Sequence, residues 1–138
     1  MAASITQTLE PIFKRGKEIL KLTLEWTAHT DGAVAGITTD NGTFCGETIT
    51  KTLTGRSLKN MITKPTSATT YTATMTMDGE DLFGGTGTLR STSATESLAP
   101  LVGGVPEYRT ITGPLTPGIT GAGSGGTGTI ILEFGKGE

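Results

Sequence analysis

Residues 70–77 read Thr-Tyr-Thr-Ala-Thr-Met-Thr-Met, with threonine at every second position and an apolar residue after each. A period of two puts the threonines on one side of an extended chain and Tyr71, Ala73, Met75 and Met77 on the other. That is the pattern of a strand with one wet and one buried face, and no helical stripe can produce it. Asp78-Gly79 follows as a hairpin turn signal leading into Glu80, Asp81, Leu82 and Phe83, so a β-hairpin is predicted here. The same alternation runs through residues 20–27, where Leu20, Leu22, Leu24 and Trp26 interleave with Lys21, Thr23, Glu25 and Thr27. It returns at residues 127–134, with Ile130, Leu132 and Phe134 on one face, and Thr129, Ile131 and Glu133 on the other. Ile131, out of phase with the core face, points to a second layer.

Further strands are predicted at residues 34–39, 47–54, 57–63 and 107–112, separated by Asn41-Gly42, Gly55 and Lys64-Pro65. This strand spacing predicts an all-β fold, an antiparallel β-sandwich or jelly-roll-like barrel. Residues 113–128 hold Pro114, Pro117 and many glycines and are predicted as loop or irregular edge structure. Near the start, Pro11 and Gly16 interrupt any helical pattern, so residues 1–16 are expected as an extended N-terminal arm and residues 17–138 as one β-sandwich domain.

Composition narrows the functional classes. The 138 residues include 21 glycines and 29 threonines, only 34% are hydrophobic and 5% aromatic, and the core they can build is thin. A fold of this kind gains stability by burial against a partner. Eleven basic residues face thirteen acidic ones, which speaks against disorder driven by charge and against attraction to phosphate backbones. The cluster Lys14, Arg15 and Lys17 reads as a solvated face. The opening residues lack a charged leader followed by an apolar run, and no stretch approaches a membrane span, so neither nucleic acid nor membrane is an expected partner.

Gly123, Gly125 and Gly128 match a dinucleotide fingerprint in letters, but a strand follows them where a helix must present its amides to pyrophosphate. Gly84, Gly85 and Gly87 lack both a Walker lysine and a following helix. His29, the single histidine, sits beside Asp31-Gly32 in an expected turn, with no nucleophile elbow anywhere in the chain. Cys45, the single cysteine, is expected to be an inert thiol, and Asn41-Gly42-Thr43 a turn. Asp78, Glu80 and Asp81 fall at a hairpin tip, without the spacing of a calcium loop or the cleft of a glycosidase. Trp26, Tyr71, Tyr108 and Phe134 are expected in the core; exposure of any of the first three would instead favour a carbohydrate-binding β-sandwich module. No catalytic residue, metal or cofactor is expected.

Two stretches carry a resemblance. One is Thr-Lys-Pro-Thr-Ser-Ala-Thr-Thr-Tyr-Thr-Ala-Thr-Met-Thr-Met-Asp-Gly-Glu-Asp-Leu-Phe-Gly-Gly at residues 63–85, followed by Leu-Arg-Ser-Thr-Ser-Ala-Thr-Glu at 89–96; the other is Leu-Thr-Leu-Glu-Trp-Thr-Ala-His-Thr-Asp-Gly at 22–32. In their Trp-ended strand, Pro-containing loop, alternating Tyr-Thr strand, acidic hairpin tip and Arg-Ser run they resemble small virion proteins of tailed bacteriophages. The resemblance implies a non-enzymatic capsid decoration (cement) protein made in the host cytoplasm, placed on the capsid surface, and binding the major capsid protein or other virion proteins as a homo-oligomer, a dimer or trimer. A neck or tail-attached protein is the alternative. Independently of the resemblance, Ile5, Leu9, Ile12 and Phe13 in the arm are apolar anchors that a lean core leaves over, and they are the expected partner-binding residues.

Overall fold

The computed structural model describes residues 4–28, 53–64, 71–77, 79–85, 87, 95–112, 115–121 and 126–135. They form an all-β, antiparallel sandwich. The larger sheet is built from β1 (Ser4–Lys14), β2 (Lys17–Thr27), β3 (Ser57–Thr63), β6 (Glu96–Leu98), β9 (Arg109–Thr110) and β11 (Thr127–Gly135), in the order β1-β2-β11-β3, with β6 and β9 both on the far side of β3. The smaller sheet places β4 (Thr72–Met77) between β5 (Glu80–Asp81) and β10 (Thr116–Thr120). A separate hairpin consists of β7 (Leu101–Val102) and β8 (Val105–Pro106).

The period-two residues do what their spacing predicts. Leu20, Leu22, Leu24 and Trp26 from β2, Ile130, Leu132 and Phe134 from β11, and Leu58 and Met61 from β3 meet Tyr71, Ala73, Met75, Met77 and Ile119 of the smaller sheet in one buried cluster. Trp26 and Tyr71 join the two layers edge to face, with centroids 5.0 Å apart and planes at 65°. Such a pair adds roughly 0.5–1.5 kcal/mol beyond its area burial. Ile131, on the opposite face of β11, is also buried. Asp78 lies outside the described residues, but Met77 pairs with Glu80 across the predicted turn and Gly79 takes φ 81°.

Several expectations need correction. The segment expected as an N-terminal arm is extended, but Ser4–Lys14 pairs along its whole length with β2, from Ser4 opposite Thr27 to Lys14 opposite Lys17. The turn is Arg15-Gly16, with φ of 53° and 76°, the positive pair that a two-residue hairpin with right-handed twist demands. Within the stretch expected as loop, Thr116–Thr120 is β10, paired with β4 from Thr116 opposite Thr76 to Thr120 opposite Thr72. Its Pro117 lies on an edge strand and is buried with Ile119, while Gly118 leaves room for Thr74. The strand expected over residues 107–112 shrinks to Arg109–Thr110. Of residues 47–54, only Leu53 and Thr54 are described. They form a turn, in which the Arg56 N–H donates to the Leu53 carbonyl at 2.9 Å. Residues 34–39, Asn41-Gly42-Thr43, His29, Cys45, Gly123 and Gly125 lie outside the described residues.

Candidate partner-binding surface

One edge of the larger sheet is a single strand broken in two. β6 pairs with β3 from Thr63 opposite Glu96 to Met61 opposite Leu98, and β9 pairs with the other end of β3, Leu58 opposite Arg109 and Ser57 opposite Thr110. Between them residues 99–108 leave the sheet as the β7–β8 hairpin. The departure coincides with an irregularity in β3. Its pairing with β11 shifts between Glu133, opposite Asn60, and Phe134, opposite Leu58, which leaves Lys59 without an opposite residue. Bulges re-aim side chains. Lys59 packs so closely over Gly135 that a Cβ there would lie 2.4 Å from Lys59 Cε, and its ammonium sits 4.6 Å from the centroid of the Tyr108 ring.

The hairpin follows from Val-Gly-Gly-Val. Val102 pairs with Val105, and Gly103 and Gly104 take φ of 58° and 83°, again the pair of positive angles that closes a two-residue turn. At its base the hairpin is held on several sides. The Leu101 N–H donates to the Leu82 carbonyl and the Glu107 N–H to the Pro100 carbonyl, each at 2.9 Å. The Arg109 guanidinium donates to the Leu101 carbonyl at 3.0 Å and grips Glu80 with both nitrogens, at 2.9 and 3.2 Å. This fork ties β9 of the larger sheet to β5 of the smaller one. The bidentate bond, reinforced by the charge of Arg109, holds the Glu80 carboxyl below its usual range, and the same bond to Glu80 raises the Arg109 guanidinium.

The neighbouring carboxylate is committed as well. Asp81 Oδ1 accepts from the Phe83 N–H at 3.1 Å and the Met75 N–H at 3.4 Å, and Oδ2 from the Gly85 N–H at 2.8 Å, so it shapes the turn over residues 82–85. Glu80 and Asp81 thus serve a clamp and a turn. Among the described residues, no three of His, Cys, Asp and Glu come together as a metal-holding group.

What the hairpin presents to solvent is apolar. Among the described residues the exposed large hydrophobics are Phe13 at 72%, Val105 at 62%, Tyr108 at 60% and Val102 at 41%. Three of these four lie in the stretch 102–108. Beside them an open groove of about 280 Å³ is lined by Ala99, Pro106, Glu107 and Tyr108. Tyr108 therefore departs from the core position expected for it, whereas Trp26, Tyr71 and Phe134 are buried.

The residues expected to bind a partner divide. Ile5 and Leu9 pack partly buried against the core, Ile12 is half-buried on the opposite face beside Ile19, and Phe13 stands exposed. Sequence reasoning missed Val102 and Val105. Their signal was Gly-Gly between two valines, a turn dipeptide flanked by strand formers, but strands of two residues are too short to show alternation. No protein-family model, no curated protein and no solved structure matches this chain.

Proposed function

We propose that this chain is a non-enzymatic structural protein of a tailed-phage particle, a capsid decoration protein that binds and stabilises the shell of major capsid protein. The observation that carries the reading is the β7–β8 hairpin, whose Val102 and Val105, with Tyr108 beside them, stay exposed on a base fixed by Arg109, Glu80 and the Leu82 carbonyl. Val102, Val105 and Tyr108 are exposed within one short stretch whose base is hydrogen-bonded to the rest of the fold, and clustered apolar side chains of this kind mark contact surfaces. With 41–62% of their surface still exposed, these side chains each gain roughly half of the about 1.5–3 kcal/mol that burial of a fully exposed side chain contributes, before the cost of association is subtracted. The base is already ordered, so little further entropy is lost on docking. The resemblance at residues 22–32, 63–85 and 89–96 supplies the particle context, and the thin core supplies a reason for burial against a neighbour.

The test is co-sedimentation of the purified chain with particles or coat protein from its source. Saturation at a fixed, high ratio to coat subunits is expected, with Val105→Asp and Tyr108→Ala together lowering occupancy while the fold is retained. A few copies per particle would assign it to the neck or tail instead, and no binding to particles of any form would overturn the reading. The exposure of Tyr108 beside the groove favours one second reading, a carbohydrate-binding module in which the ring stacks on a sugar and Glu107 accepts its hydroxyls. Calorimetric titration with a glycan panel, lost in Tyr108→Ala, would establish it.

A further inference from the structure

We infer that copies of this chain associate head to tail, the tip of the β1–β2 hairpin of one copy seating Phe13 in the groove beside Tyr108 of the next. This contact between copies is separate from binding to a shell. The strand lengths build the peg. Among the described residues β11 pairs with β2 only as far as Leu20, the last core residue of β2, whereas β1 follows β2 on to Lys17. The rungs from Ile12 opposite Ile19 to Lys14 opposite Lys17, with the Arg15-Gly16 turn, therefore project past β11. Phe13 lies on these rungs, opposite Glu18. Alternation with Ile5 and Leu9 puts it on the core-side face but beyond the core, and at 72% it is the most exposed large hydrophobic among the described residues. Glu18 is engaged by Arg56 at 3.7 Å, whereas Arg15 and Lys17 beside the turn are exposed. The tip thus presents one aromatic ring in cationic surroundings.

The socket is the groove lined by Ala99, Pro106, Glu107 and Tyr108. Its volume of about 280 Å³ falls below the roughly 300–1,000 Å³ of pockets that enclose small molecules, and suits a single side chain. Glu107 is the one charged residue of the lining, and it is exposed. The socket is formed in advance: Lys59 Nζ stands 4.6 Å from the Tyr108 centroid, and the Glu107 N–H is bound to the Pro100 carbonyl at 2.9 Å. An incoming Phe13 ring meets Pro106 and Tyr108, the latter in the offset or edge-on geometry that aromatic pairs prefer. Arg15 arrives with it as counter-charge to Glu107.

Peg and socket cannot meet within one molecule. β1 and β9 stand at opposite edges of the larger sheet with β2, β11 and β3 between them, four strand spacings or roughly 19 Å apart. A second copy carries the matching ring and the matching charge, and one such contact shelters both Phe13 and Tyr108, the two exposed aromatic rings among the described residues. Because the two patches differ, the contact is heterologous: each copy offers its peg to one neighbour and its socket to another, and closure gives a ring. Val102 and Val105, which pair beside the Gly103-Gly104 turn, are left for the shell.

Sedimentation of the full chain across a dilution series tests this. Particles are absent from the assay, so its failure leaves the shell-binding reading untouched, and a failure to bind particles leaves this one untouched. Association that grows with concentration is expected. Phe13→Asp should raise the dissociation constant by about 10-fold or more, since it removes the buried ring and sets a carboxylate beside Glu107, and Tyr108→Ala should weaken association to a similar degree. Both side chains are exposed in the single copy, so each variant should keep its circular dichroism and its melting temperature at high dilution. Mixed together, the two variants retain one intact peg and one intact socket. They should form a heterodimer that grows no further, with a dissociation constant near that of the unaltered contact. A photoreactive benzoylphenylalanine in place of Phe13 should crosslink to residues 99–108 of another copy. A chain monomeric at every concentration, an association that Phe13→Asp leaves unchanged, or a mixture that binds no more tightly than either variant alone would each overturn the inference.

Discussion

Gly118 is the position where one added methyl group should report most directly on how β10 lies against β4. It faces Thr74, and a Cβ built there would sit 2.5 Å from Thr74 Oγ1 and 3.9 Å from its Cβ. Ordinary contact begins at 3.4 Å, so the hydroxyl must retreat by about 0.9 Å. Threonine is β-branched and has few χ1 positions to retreat to. Crowding of this kind costs roughly 1–3 kcal/mol, set against a gain of about 0.4–1 kcal/mol from stiffening the unfolded chain. Gly118→Ala should therefore destabilise by about 1–2 kcal/mol net. In a Thr74→Ala background the obstacle is gone, and the same substitution should be neutral or stabilising by up to about 1 kcal/mol. Urea unfolding followed by Trp26 fluorescence suits the four-way comparison, since Trp26 is buried against Tyr71 at the junction of the two sheets. Additivity of the two substitutions within about 0.5 kcal/mol would mean that Thr74 and Gly118 do not meet, and would refute the register of β10 on β4.

Other perturbations have expected outcomes of their own. Gly87→Ala should be more damaging than Gly118→Ala and immune to rescue at a side chain, because its Cβ would lie 1.9 Å from the Ala73 carbonyl oxygen while the Ala73 N–H donates to the Gly87 carbonyl; a loss of about 3 kcal/mol in chemical unfolding is expected. Leu132→Ala, at a fully buried position in the central strand, should cost about 2–5 kcal/mol by the same assay. Arg15 holds φ 53°, so Arg15→Gly should raise the melting temperature slightly, relief of roughly 1–2 kcal/mol of left-handed strain outweighing the about 0.4–1 kcal/mol that a glycine adds to unfolded-chain entropy. The Glu80 carboxyl is depressed below 4.5 by Arg109, so its contribution to stability is present above that pH and disappears as the pH falls through the lower, folded value. Melting temperature plotted against pH should lose this acid-side component in Glu80→Gln, and an unchanged curve would show that the clamp contributes nothing.

The strands most directly read from alternation were β2, β4 and β11, while β3 was read from the breakers that flank it. Period two placed their core-facing residues, but the bulge at Lys59 in β3 and the burial of Ile131 and Glu133 on the second face of β11 come from tertiary contacts that period does not show. β10 was hidden because Pro117 and Gly118 are breakers in isolation. Only the edge location and the Thr74 contact turn them into strand residues, and neither is visible in a local window. β1 was legible as extended but not as paired, since its partner depends on a turn in which Arg15 adopts a conformation that arginine seldom takes. The anchors Ile5 and Leu9 were read as surplus to the core because the pairing that lays them beside Trp26 and Leu22 was unseen. Tyr108 was misread because it sits just ahead of a strand, β9, that proved to be only two residues long. An insertion cannot be distinguished from a continuing strand when the bulge that accompanies it, at Lys59, lies some fifty residues earlier in the chain.

The position of β11 between β2 and β3 bears on how this chain acquires its structure during synthesis. β11 is the last of the described strands to leave the ribosome, yet it supplies the middle of the larger sheet. Until it arrives, β2 and β3 have no partner on the sides that will face each other, and nascent chains must wait with two apolar strands unsatisfied. Among the described strands, the β1–β2, β4–β5 and β7–β8 hairpins can form from neighbouring sequence. Closure over about a hundred residues then places folding in the slow range of sheet proteins, milliseconds to seconds. During that interval the half-built sheet is open to capture by chaperones or by other nascent copies.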